Sequence, residues 1–513
     1  MDSLSGGRIF GVASEGATNA YFDDMRPCEN SLALTRKSFL GLGTAFCLSR
    51  VHATACAGEA NLRVGLLADI HFDLAKDTSV HFETALRDFD RRKCDAVLIC
   101  GDLAQNGVEQ QLLQVGETWR KVFPCNLRSD GAPIVKLFHY GDHDTGGYAH
   151  TREFFHSGER LMKAYGCSYE EVVASCIRNH RAESWKKAFD EEFAPIIHKT
   201  VKGYDFILAN FTSGEPDNRS GNNTPGLEDF LKKAKLDSAK PFFFSQHRAF
   251  RGTIGEKDMG GQDDGRSTQT LSAYPNCLAF CGHLHRNFND EKMIWQGGFT
   301  AVHVPTLRDV YAEPDRENTV PPKARAAQDT RVREMRSIMQ TPSWQCGVME
   351  VFDNRIVVER RVADTGDELA PAWVIPLQTT LRPYTPENRL AVAVRPAFPE
   401  NARVTVTTRK GRNRARQEHD QVVVSFPPAR ATATTPRAYD YLVTAEGQEK
   451  GEWKTLLARA VFSPGCYRPD AEETAPVTCV FAAAEFGNLA KENLRFSVVP
   501  RDSFGRAGKA LQS

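Results

Sequence analysis

The sequence has no long apolar run and no excess of charge of either sign. No stretch of about 18 consecutive apolar residues occurs in the chain, so a transmembrane segment is not expected. Lysine and arginine together number 65, and so do aspartate and glutamate. Balanced charge gives no overall field that would attract nucleic acids or anionic membranes. We therefore expect no nucleic-acid polymer as a partner, and the oligomeric state stays open.

Cysteine is also too sparse for a scaffold held by disulfides, with 13 in 513 residues. Cys277 and Cys281 fall in one predicted strand, where four residues span about 13 Å, which is beyond disulfide reach. Cys466 and Cys479 bracket a polar, proline-containing segment. They could close a loop or remain free thiols, and the sequence leaves both open.

Residues 1–57 have the composition of a leader rather than of a folded domain. Residues 1–34 are polar and glycine-rich without periodicity, which predicts disorder. Arg36-Lys37 precede an apolar stretch over 38–48, and small residues follow near a possible cleavage point before Gly58. This pattern favours a bacterial export signal of the twin-arginine type, and hence a periplasmic or secreted location. An amphipathic N-terminal helix is the alternative.

Between residues 61 and 310 apolar runs alternate with helical patterns, which predicts an α/β sandwich. The predicted strands cover residues 63–68, 95–100, 133–139, 203–211, 240–246 and 277–281. The predicted helices cover residues 79–91, 108–122, 151–165, 183–194 and 226–235.

The remainder of the chain divides into three parts. Residues 311–343 are charged and proline-rich, then helical, which indicates an insertion or lid. Strands at 346–352 and 355–362 form a predicted hairpin that turns at Asp353-Asn354. Short alternating runs in 385–513, at 389–394, 402–408 and 421–426, predict a β-sandwich. We therefore expect a first domain over 61–378 and a second over 385–513.

Five predicted strands of the first domain each end in aspartate or histidine. The motifs are Asp69-Ile70-His71, Gly101-Asp102, Gly141-Asp142-His143-Asp144, His247 and Gly282-His283-Leu284-His285. Because ligands bind at the carboxyl ends of parallel strands, one edge of the sheet should gather these side chains.

The chemistry of these side chains indicates two metal ions. Mixed nitrogen and oxygen ligands suit Mn, Fe or Zn better than Ca or Mg. Three carboxylates and four imidazoles exceed what one four-coordinate metal needs, but fit two metals that share a bridging carboxylate. Such a pair holds a hydroxide nucleophile and clamps the oxygens of an in-line displacement, which is phosphoryl chemistry.

The five motifs, in this order, resemble those of the calcineurin-like metallophosphoesterases. The resemblance covers residues 62–304 and is nearest to the bacterial cyclic-nucleotide-type phosphodiesterases. It implies a two-sheet α/β/β/α sandwich, which makes residues 61–378 the catalytic domain. One position departs from the family pattern, because Asp142 stands where the family has asparagine.

The resemblance also implies a role for each residue. Asp69, His71, Asp102 and His285 would hold the first metal. Asp102, Asp142, His247 and His283 would hold the second. His143 would be catalytic, lying near the leaving oxygen and donating a proton or a hydrogen bond. The cofactors would be two metal ions, divalent or mixed-valent, drawn from Mn, Fe and Zn.

Three nearby residues are interpreted differently. Asp144 is expected to orient a neighbour rather than bind a metal. His139, which precedes the Gly141 motif, is expected to be a buried strand side chain. His303 could either reach the site or be structural.

The implied function is metal-dependent hydrolysis of a small phosphate ester, preferably a phosphodiester, by a metal-bridging hydroxide. A phosphomonoesterase or nucleotidase on the same site is one alternative. A non-catalytic metal-binding surface module, with a β-sandwich that binds a ligand, is another. With asparagine at position 142, the charge of two dications would exceed that of the two other carboxylates and the hydroxide by one. An ionised Asp142 cancels this excess positive charge. The cancellation favours a trivalent–divalent metal pair or a less anionic diester. Aspartate could equally be a tolerated ligand without that effect.

Overall fold

The structure is a computed structural model. It describes residues 58–73, 78–145, 162–163, 166–212, 224–255, 261–311, 316–318, 340–342, 344–377, 379–391, 394–412, 417–429, 437–463, 466, 475–487 and 493–513. The leader at 1–57 lies outside these residues, as do most of the predicted helix at 151–165 and of the insertion at 311–343. Export and the lid therefore stay predictions.

The strands of the first domain are β1 (Leu62–Leu67), β2 (Ala96–Cys100), β3 (Val135–His139), β4 (Ile196–Val201), β5 (Tyr204–Ala209), β6 (Phe242–Ser245), β7 (Cys277–Cys281), β8 (Ile294–Gln296), β9 (Thr300–His303), β10 (Asp309–Tyr311), β11 (Gln340–Pro342), β12 (Gln345–Val351), β13 (Arg355–Val362) and β14 (Glu368–Pro376). As far as β7 these strands alternate with helices, except that β4 and β5 are consecutive. The helices are α1 (Ser79–Arg91), α2 (Glu109–Val122), α3 (Asp142–Thr145), α4 (Tyr169–Ala174), α5 (Arg181–Phe189), α6 (Leu227–Lys233), α7 (Arg266–Leu271) and α8 (Pro386–Ala391).

The first sheet has the strand order β14-β13-β12-β1-β2-β3. Strands β1, β2 and β3 run parallel, whereas β12 is antiparallel to β1 and begins the predicted hairpin with β13. Every residue of β2 is buried. Strands covered on both faces read as continuous apolar runs, and this explains why the sequence shows them so clearly.

The second sheet has the order β4-β5-β6-β7-β9-β8. Strands β5, β6, β7 and β9 run parallel, with β4 and β8 antiparallel at the two edges. All eight predicted strands of the first domain, including the two of the hairpin, are confirmed, with their ends within two residues of the prediction.

Apolar side chains hold these layers together. One cluster fills the space between the sheets and joins residues such as Leu66 and Leu98 to Phe244 and Phe280. A second cluster packs α1, α2 and α5 on the outer face of the first sheet, with Trp119 and Trp185 at its centre. Helices α6 and α7 pack on the second sheet. The predicted α/β/β/α sandwich is confirmed.

Two local predictions were wrong. The helix predicted over 183–194 ends at Phe189, because Asp190 takes a left-handed conformation (φ 56°) and Pro195 lies ahead. The alternating run at 389–394 was taken as strand, yet residues 386–391 are helix α8. In the first case a helical pattern was extended past the end of the helix, and in the second a short alternating run was interpreted as a strand.

The C-terminal strands form two further sheets. They are β15 (Thr405–Arg412), β16 (Glu418–Phe426), β17 (Asp440–Glu449), β18 (Glu452–Phe462), β19 (Val477–Ala482), β20 (Leu494–Arg501) and β21 (Leu511–Gln512). A sheet ordered β15-β16-β19 faces one ordered β18-β17-β20-β21. Their inner side chains, including Val424, Tyr441 and Phe496, form an apolar core of their own. The result is a β-sandwich.

This β-sandwich contacts the segments that follow β7 and β10. Backbone N–H of Phe462 donates to Oδ1 of Asn318 over 2.8 Å, and Nδ2 of Asn318 donates back to the Phe462 carbonyl over 3.0 Å. The carbonyl of Cys466 accepts from the side chains of Asn287 and Asn289. The bonds of Asn318 tie the sandwich to the segment after β10, and those of Asn287 and Asn289 tie it to the loop that begins just after His285.

Cys466 and Cys479 are both buried free thiols, so the loop-closing alternative is not realised. The Sγ–H of Cys466 donates to the Ala438 carbonyl over 3.2 Å. Cys277 and Cys281 are also free. No disulfide occurs among the cysteines that the structure describes.

In the described part of the chain, no helix has the length and apolar character needed to cross a bilayer.

A charged cluster around Glu291 connects the first sheet to α8. Oε1 of Glu291 lies 2.7 Å from Nη2 of the buried Arg360, and Oε2 pairs with Nη2 of Arg389. Nε1 of Trp373 donates to Oε2 over 3.1 Å. Burial alone would raise the pKa of Glu291, but Arg360 and Arg389 outweigh burial and lower it to about 2.

Glu291→Gln should lower the free energy of unfolding by about 1–3 kcal/mol at pH 7, because Arg360 stays buried with a weakened partner. The loss is smaller than for a fully buried pair because the Glu291 side chain is 35% exposed. A depressed pKa stabilises the fold above the unfolded value of about 4.3 and ceases to do so as pH falls through about 2. The difference between the proteins in urea unfolding should therefore shrink from pH 4 to pH 2.

Glu418→Gln is the matched control, since Glu418 and its partner Arg412 are 64% and 60% exposed. That variant should change stability by at most about 1 kcal/mol at any pH. A deficit of Glu291→Gln that persists unchanged at low pH would contradict the ion-pair explanation.

Candidate metal centre

The two sheets bring their carboxyl ends together at one edge of the sandwich. Asp69 follows β1, Asp102 follows β2, Asp142 follows β3, His247 follows β6 and His283 follows β7. Both carboxylate oxygens of Asp69 accept from the backbone N–H of His283, each over 3.0 Å, and so join the first sheet to the second. The arrangement expected from the sequence is therefore present.

Several of these residues hold a strained backbone. Left-handed φ values occur at Asp69 (50°), His71 (46°), Asp102 (53°), His283 (72°) and His285 (49°). Such conformations cost about 1–3 kcal/mol each in a residue with a side chain, and they cluster at functional sites. Cross-strand bonds hold them, including His71 N–H to the Asp102 carbonyl at 2.9 Å.

Close packing around β2 also requires glycine at its end. A methyl group at Gly101 (φ 81°) would lie 2.6 Å from Nδ1 of His247. That imidazole donates from Nδ1 to the neighbouring Cys100 carbonyl over 2.8 Å. The bond fixes the ring orientation, so Nε2 of His247 is the nitrogen that faces the centre of the site.

The first cluster consists of Asp69, His71 and His285. The Nε2 atoms of the two imidazoles lie 2.9 Å apart. Nδ1 of His285 donates to the Asp309 carbonyl over 2.9 Å, so its Nε2 has the lone pair. This Nε2 lies 3.5 Å from Oδ1 of Asp69.

The second cluster consists of Asp102, Asp142, His247 and His283, with their donor atoms all within 4.8 Å of one another. Nε2 of His247 lies 3.1 Å from Oδ1 of Asp142 and 3.2 Å from Nδ1 of His283. All seven residues predicted as ligands therefore fall into these two adjacent clusters.

Asp102 connects the clusters. Its Oδ2 lies 3.5 Å from Nε2 of His71 in the first cluster and 3.2 Å from Nε2 of His247 in the second. One carboxylate oxygen thus faces both sets of imidazole nitrogens. This is the geometry that a carboxylate shared by two ions requires.

The electrostatics of the carboxylates fit bound cations. Burial, reinforced by the Asp102 charge, raises the pKa of Asp69 well above its usual range, although His247 opposes this. Burial alone would lower the pKa of His247, but Asp102 and Asp142 raise it well above its ordinary value. The pocket therefore holds buried negative charge that stabilises positive charge at its centre.

The first-cluster imidazoles are neutral. Burial and the nearby His143 and His285 rings lower the pKa of His71 well below its usual value, and burial lowers that of His285 to about 3. Neutral imidazole is the form that binds metal. Nitrogen lone pairs and carboxylates are therefore available together.

The match to known families agrees with this geometry. Residues 62–287 match the model of the family described as calcineurin-like phosphoesterase. This segment is a calcineurin-like phosphoesterase domain. This domain is accordingly a metal-dependent phosphoesterase domain, and the binuclear character expected of its site agrees with the two clusters.

Solved structures with some likeness to the chain include a dimetal phosphatase from Danio rerio. It is 10% identical, with 62% of this chain and 100% of that chain covered and a TM-score of 0.36. GAP50, the anchor in the inner membrane complex of Plasmodium, is 11% identical over 62% and 89% of the two chains, with a TM-score of 0.35. PhoD is 11% identical over 61% and 68%, with a TM-score of 0.35. A comparison with curated proteins gave no match.

In the phosphoesterase domain, His143 lies beside the first cluster. Its Nδ1 donates to the Gln105 carbonyl over 2.7 Å, and its ring meets the His71 ring edge-on at 4.5 Å between centroids. Its backbone N–H donates to Oδ1 of Asp102 over 2.9 Å. The bond to Gln105 fixes the orientation of the ring, so Nε2 lies on the side opposite that carbonyl.

Asp144 holds two loops of the phosphoesterase site together. Its carboxylate accepts from the backbone N–H groups of Leu103 (3.1 Å), Ala104 (2.7 Å) and Gly141 (2.7 Å). Burial and the Asp102 charge raise the pKa of Asp144 to about 7, and the three amides oppose that rise. Asp144 thus fixes the loops that carry Asp102 and Asp142, in line with the orienting role expected from the sequence.

His139 and His303 belong to the core of the phosphoesterase domain. Nδ1 of His139 donates to the Tyr140 carbonyl over 3.1 Å, and Nε2 lies 2.8 Å from Oγ of Ser245. His303 is fully buried on β9 and belongs to neither cluster of the described residues. His139 is the buried strand residue expected from the sequence.

Sequence reasoning missed the residues that orient the phosphoesterase site. Nη1 of Arg308 donates to the His71 carbonyl over 2.8 Å and lies 3.3 Å from Oε1 of Gln105. Nη2 of Arg248 lies 3.5 Å from Oδ2 of Asp142. Arg248 follows His247 directly, so adjacency was a usable signal there. Arg308 had none, because its main partner is a backbone carbonyl.

Asp144→Asn should weaken the phosphoesterase site without removing a ligand. The amide would turn an NH₂ group toward backbone N–H donors, and each donor left unpaired costs about 1–3 kcal/mol. We expect a lower melting temperature for the metal-free protein and a lower metal content after dialysis. Thermal unfolding and elemental analysis measure these two quantities.

Asp229→Asn on α6 makes the same change at an exposed position and should alter neither quantity. Unchanged stability and metal content in Asp144→Asn, together with lost turnover, would instead assign Asp144 a direct part in the reaction.

Proposed function

We propose that this phosphoesterase hydrolyses a small phosphodiester with two bound metal ions, and that Asp102 is the ligand common to both. The observation that carries the two-metal proposal is the single oxygen of Asp102 that faces both imidazole sets, at 3.5 and 3.2 Å. When bound, the metals supply positive charge that acidifies water and offsets charge on the phosphoryl oxygens. The ions are taken to be Mn, Fe or Zn on the basis of the nitrogen and oxygen donors.

The preference for a diester rests on charge. Burial alone would raise the pKa of Asp142, but the His283 and His247 imidazoles hold it well below its usual range, so this carboxyl group is ionised. An ionised Asp142 makes the site less positive than a neutral ligand would. A singly charged diester tolerates this change better than a dianionic monoester does.

Within the reaction, His143 supplies the proton for the leaving oxygen. Its Nδ1–H is engaged with the Gln105 carbonyl, so the transferable proton belongs on Nε2. Asp102 holds the backbone of His143, which keeps the imidazole beside His71. The ligand Asp102 therefore also places the acid.

The remaining regions carry proposals of their own. Residues 61–378 are proposed as the catalytic unit and 385–513 as a separate β-sandwich domain packed on it, and the separate apolar core of the sandwich supports this division. Export to the periplasm or beyond rests on the sequence of residues 1–57 alone.

Substrate preference can be measured directly with bis(p-nitrophenyl) phosphate and p-nitrophenyl phosphate. The metal-loaded protein should show the larger kcat/KM on the diester. A preference for the monoester would favour a phosphomonoesterase or nucleotidase. Absence of hydrolysis from a protein that holds both metals would favour the non-catalytic module.

His143→Ala should keep both metals and lose about 10²–10⁴-fold in kcat on substrates with poor leaving groups, which is the usual size of general acid catalysis. The loss should be smaller for nitrophenolate, which leaves without much help. His198→Ala, on the partly exposed β4, is the control and should retain full activity. Equal losses for good and poor leaving groups would argue against proton donation.

Asp102→Ala should empty both metal positions, because one carboxylate serves both clusters. Elemental analysis of the purified variant measures this as a fall from two metal equivalents to fewer than one. Asp229→Ala, at an exposed position of α6, controls for loss of charge. Retention of one full equivalent would refute the bridging assignment.

A further inference from the structure

The two carboxylate oxygens of Asp142 face different surroundings. Oδ1 lies 3.1 Å from Nε2 of His247 and 3.4 Å from Nδ1 of His283, on the side of the second cluster. Oδ2 lies 3.5 Å from Nη2 of Arg248, on the other side. One carboxylate therefore connects the cluster to a fixed positive charge.

Arg248 lies between the cluster and solvent. Its side chain is 22% exposed, whereas that of Asp142 is only 3% exposed. Its backbone carbonyl accepts from Nε2 of Gln246 over 2.9 Å, and the same nitrogen donates to the buried Asp263 over 2.8 Å. The guanidinium also lies 5.5 Å from the centre of the Phe211 ring. Both its backbone and its head group are thus held in place.

A carboxylate is needed for this arrangement, because it has an acceptor oxygen on each side. Asparagine at position 142 has a single oxygen. If that oxygen faced the imidazoles, its NH₂ group would face the guanidinium, and two donors would oppose each other. Asp142 and Arg248 therefore belong together chemically.

The charge of this pair bears on how the site receives an anion. Asp142 adds a negative charge to a buried cluster that already contains Asp69 and Asp102. An anionic phosphoester must approach this charge. Arg248 is positioned to offset it from the more exposed side of Asp142.

We propose that Arg248 is a specificity-determining residue of the phosphoesterase site, where it offsets the charge of Asp142 and so sets the affinity of the metal-loaded centre for an anionic phosphoester. This inference rests on the proposed function. It acts through Asp142, so the two residues should compensate for each other when they are changed together.

The test measures binding of inorganic phosphate to the metal-loaded full chain by titration calorimetry, with elemental analysis of every sample. Arg248→Gln removes one positive charge close to the anion and should weaken phosphate binding by about tenfold or more. Asp142→Asn removes one negative charge and should tighten it. The double variant restores the original charge and should bind within about threefold of the wild type.

Two further variants separate charge from other effects. Arg248→Lys keeps the charge and should bind phosphate within about threefold of the wild type. Arg266→Gln makes the same charge change on a 71% exposed side chain of α7 and should have no effect. A loss in Arg248→Lys as large as that in Arg248→Gln would overturn the charge explanation. So would a double variant as weak as Arg248→Gln, because Arg248 would then contact the anion itself.

Folding and metal content are controlled in the same set. If Arg248→Gln loses its metals, the role of Arg248 is decided by Arg248→Lys and by the double variant. In neither of these two variants is a carboxylate left without its cation. The melting temperature of the metal-free proteins gives a readout independent of metal. It should fall in Arg248→Gln and recover in the double variant, and failure to recover would count against a functional pair.

Failure of this inference is distinguishable from failure of the proposed function. If Arg248 plays no such role, the wild type still hydrolyses bis(p-nitrophenyl) phosphate and binds phosphate, and Arg248→Gln does so equally well. If the proposed function is wrong, the metal-loaded wild type itself neither hydrolyses the diester nor binds phosphate.

Discussion

The carboxylate of Asp102 is the constraint on which the site depends. It is almost completely buried, its Oδ2 faces imidazoles of both clusters, and its Oδ1 accepts from the backbone of His143. A buried carboxylate without compensation is costly, so the surrounding structure must bring positive charge or donors to it. The packing of the two sheets, the left-handed turns and the position of His143 all meet at this one group.

Backbone carbonyls set the chemistry of the imidazoles around it. The carbonyls of Cys100, Gln105 and Asp309 each accept a hydrogen bond from the Nδ1–H of a histidine and so leave Nε2 directed toward the centre. Such partners fix both tautomer and ring orientation, and they matter nearly as much as the ligands themselves. Strain at the turns that carry the ligands is offset by this network of bonds and by the core beneath.

The C-terminal β-sandwich reaches this network through β10. Asp309 on β10 supplies the carbonyl that orients His285, and the Tyr311 ring stacks on the His285 ring at 4.8 Å. Between them, Val310 is buried with Tyr439, Phe462 and Cys466 of the sandwich. The strand that orients His285 is thus packed against the β-sandwich, which gives the sandwich a physical connection to the site.

The sequence by itself determined six of the seven parallel strands that the structure describes in the two sheets, all except β9, and the seven side chains that line the centre. Strands β2 and β7 are apolar throughout and β1 is apolar apart from Arg63, because both faces are covered, and aspartate or histidine follows each strand within two residues. Such a pattern is local, so it is readable without tertiary knowledge. The sequence also distinguished Asp144 from the predicted ligands, because Asp144 occupies a different position in its motif.

Only the tertiary structure decided which atoms meet. The carbonyl acceptors of the histidines leave no mark on residue type, because every residue carries the same carbonyl group. The distance between Arg248 and Asp142 depends on how β3 and β6, which belong to different sheets, pack against each other. The free thiols of Cys466 and Cys479 were equally undecided by spacing, because disulfide formation requires their side chains to approach in three dimensions.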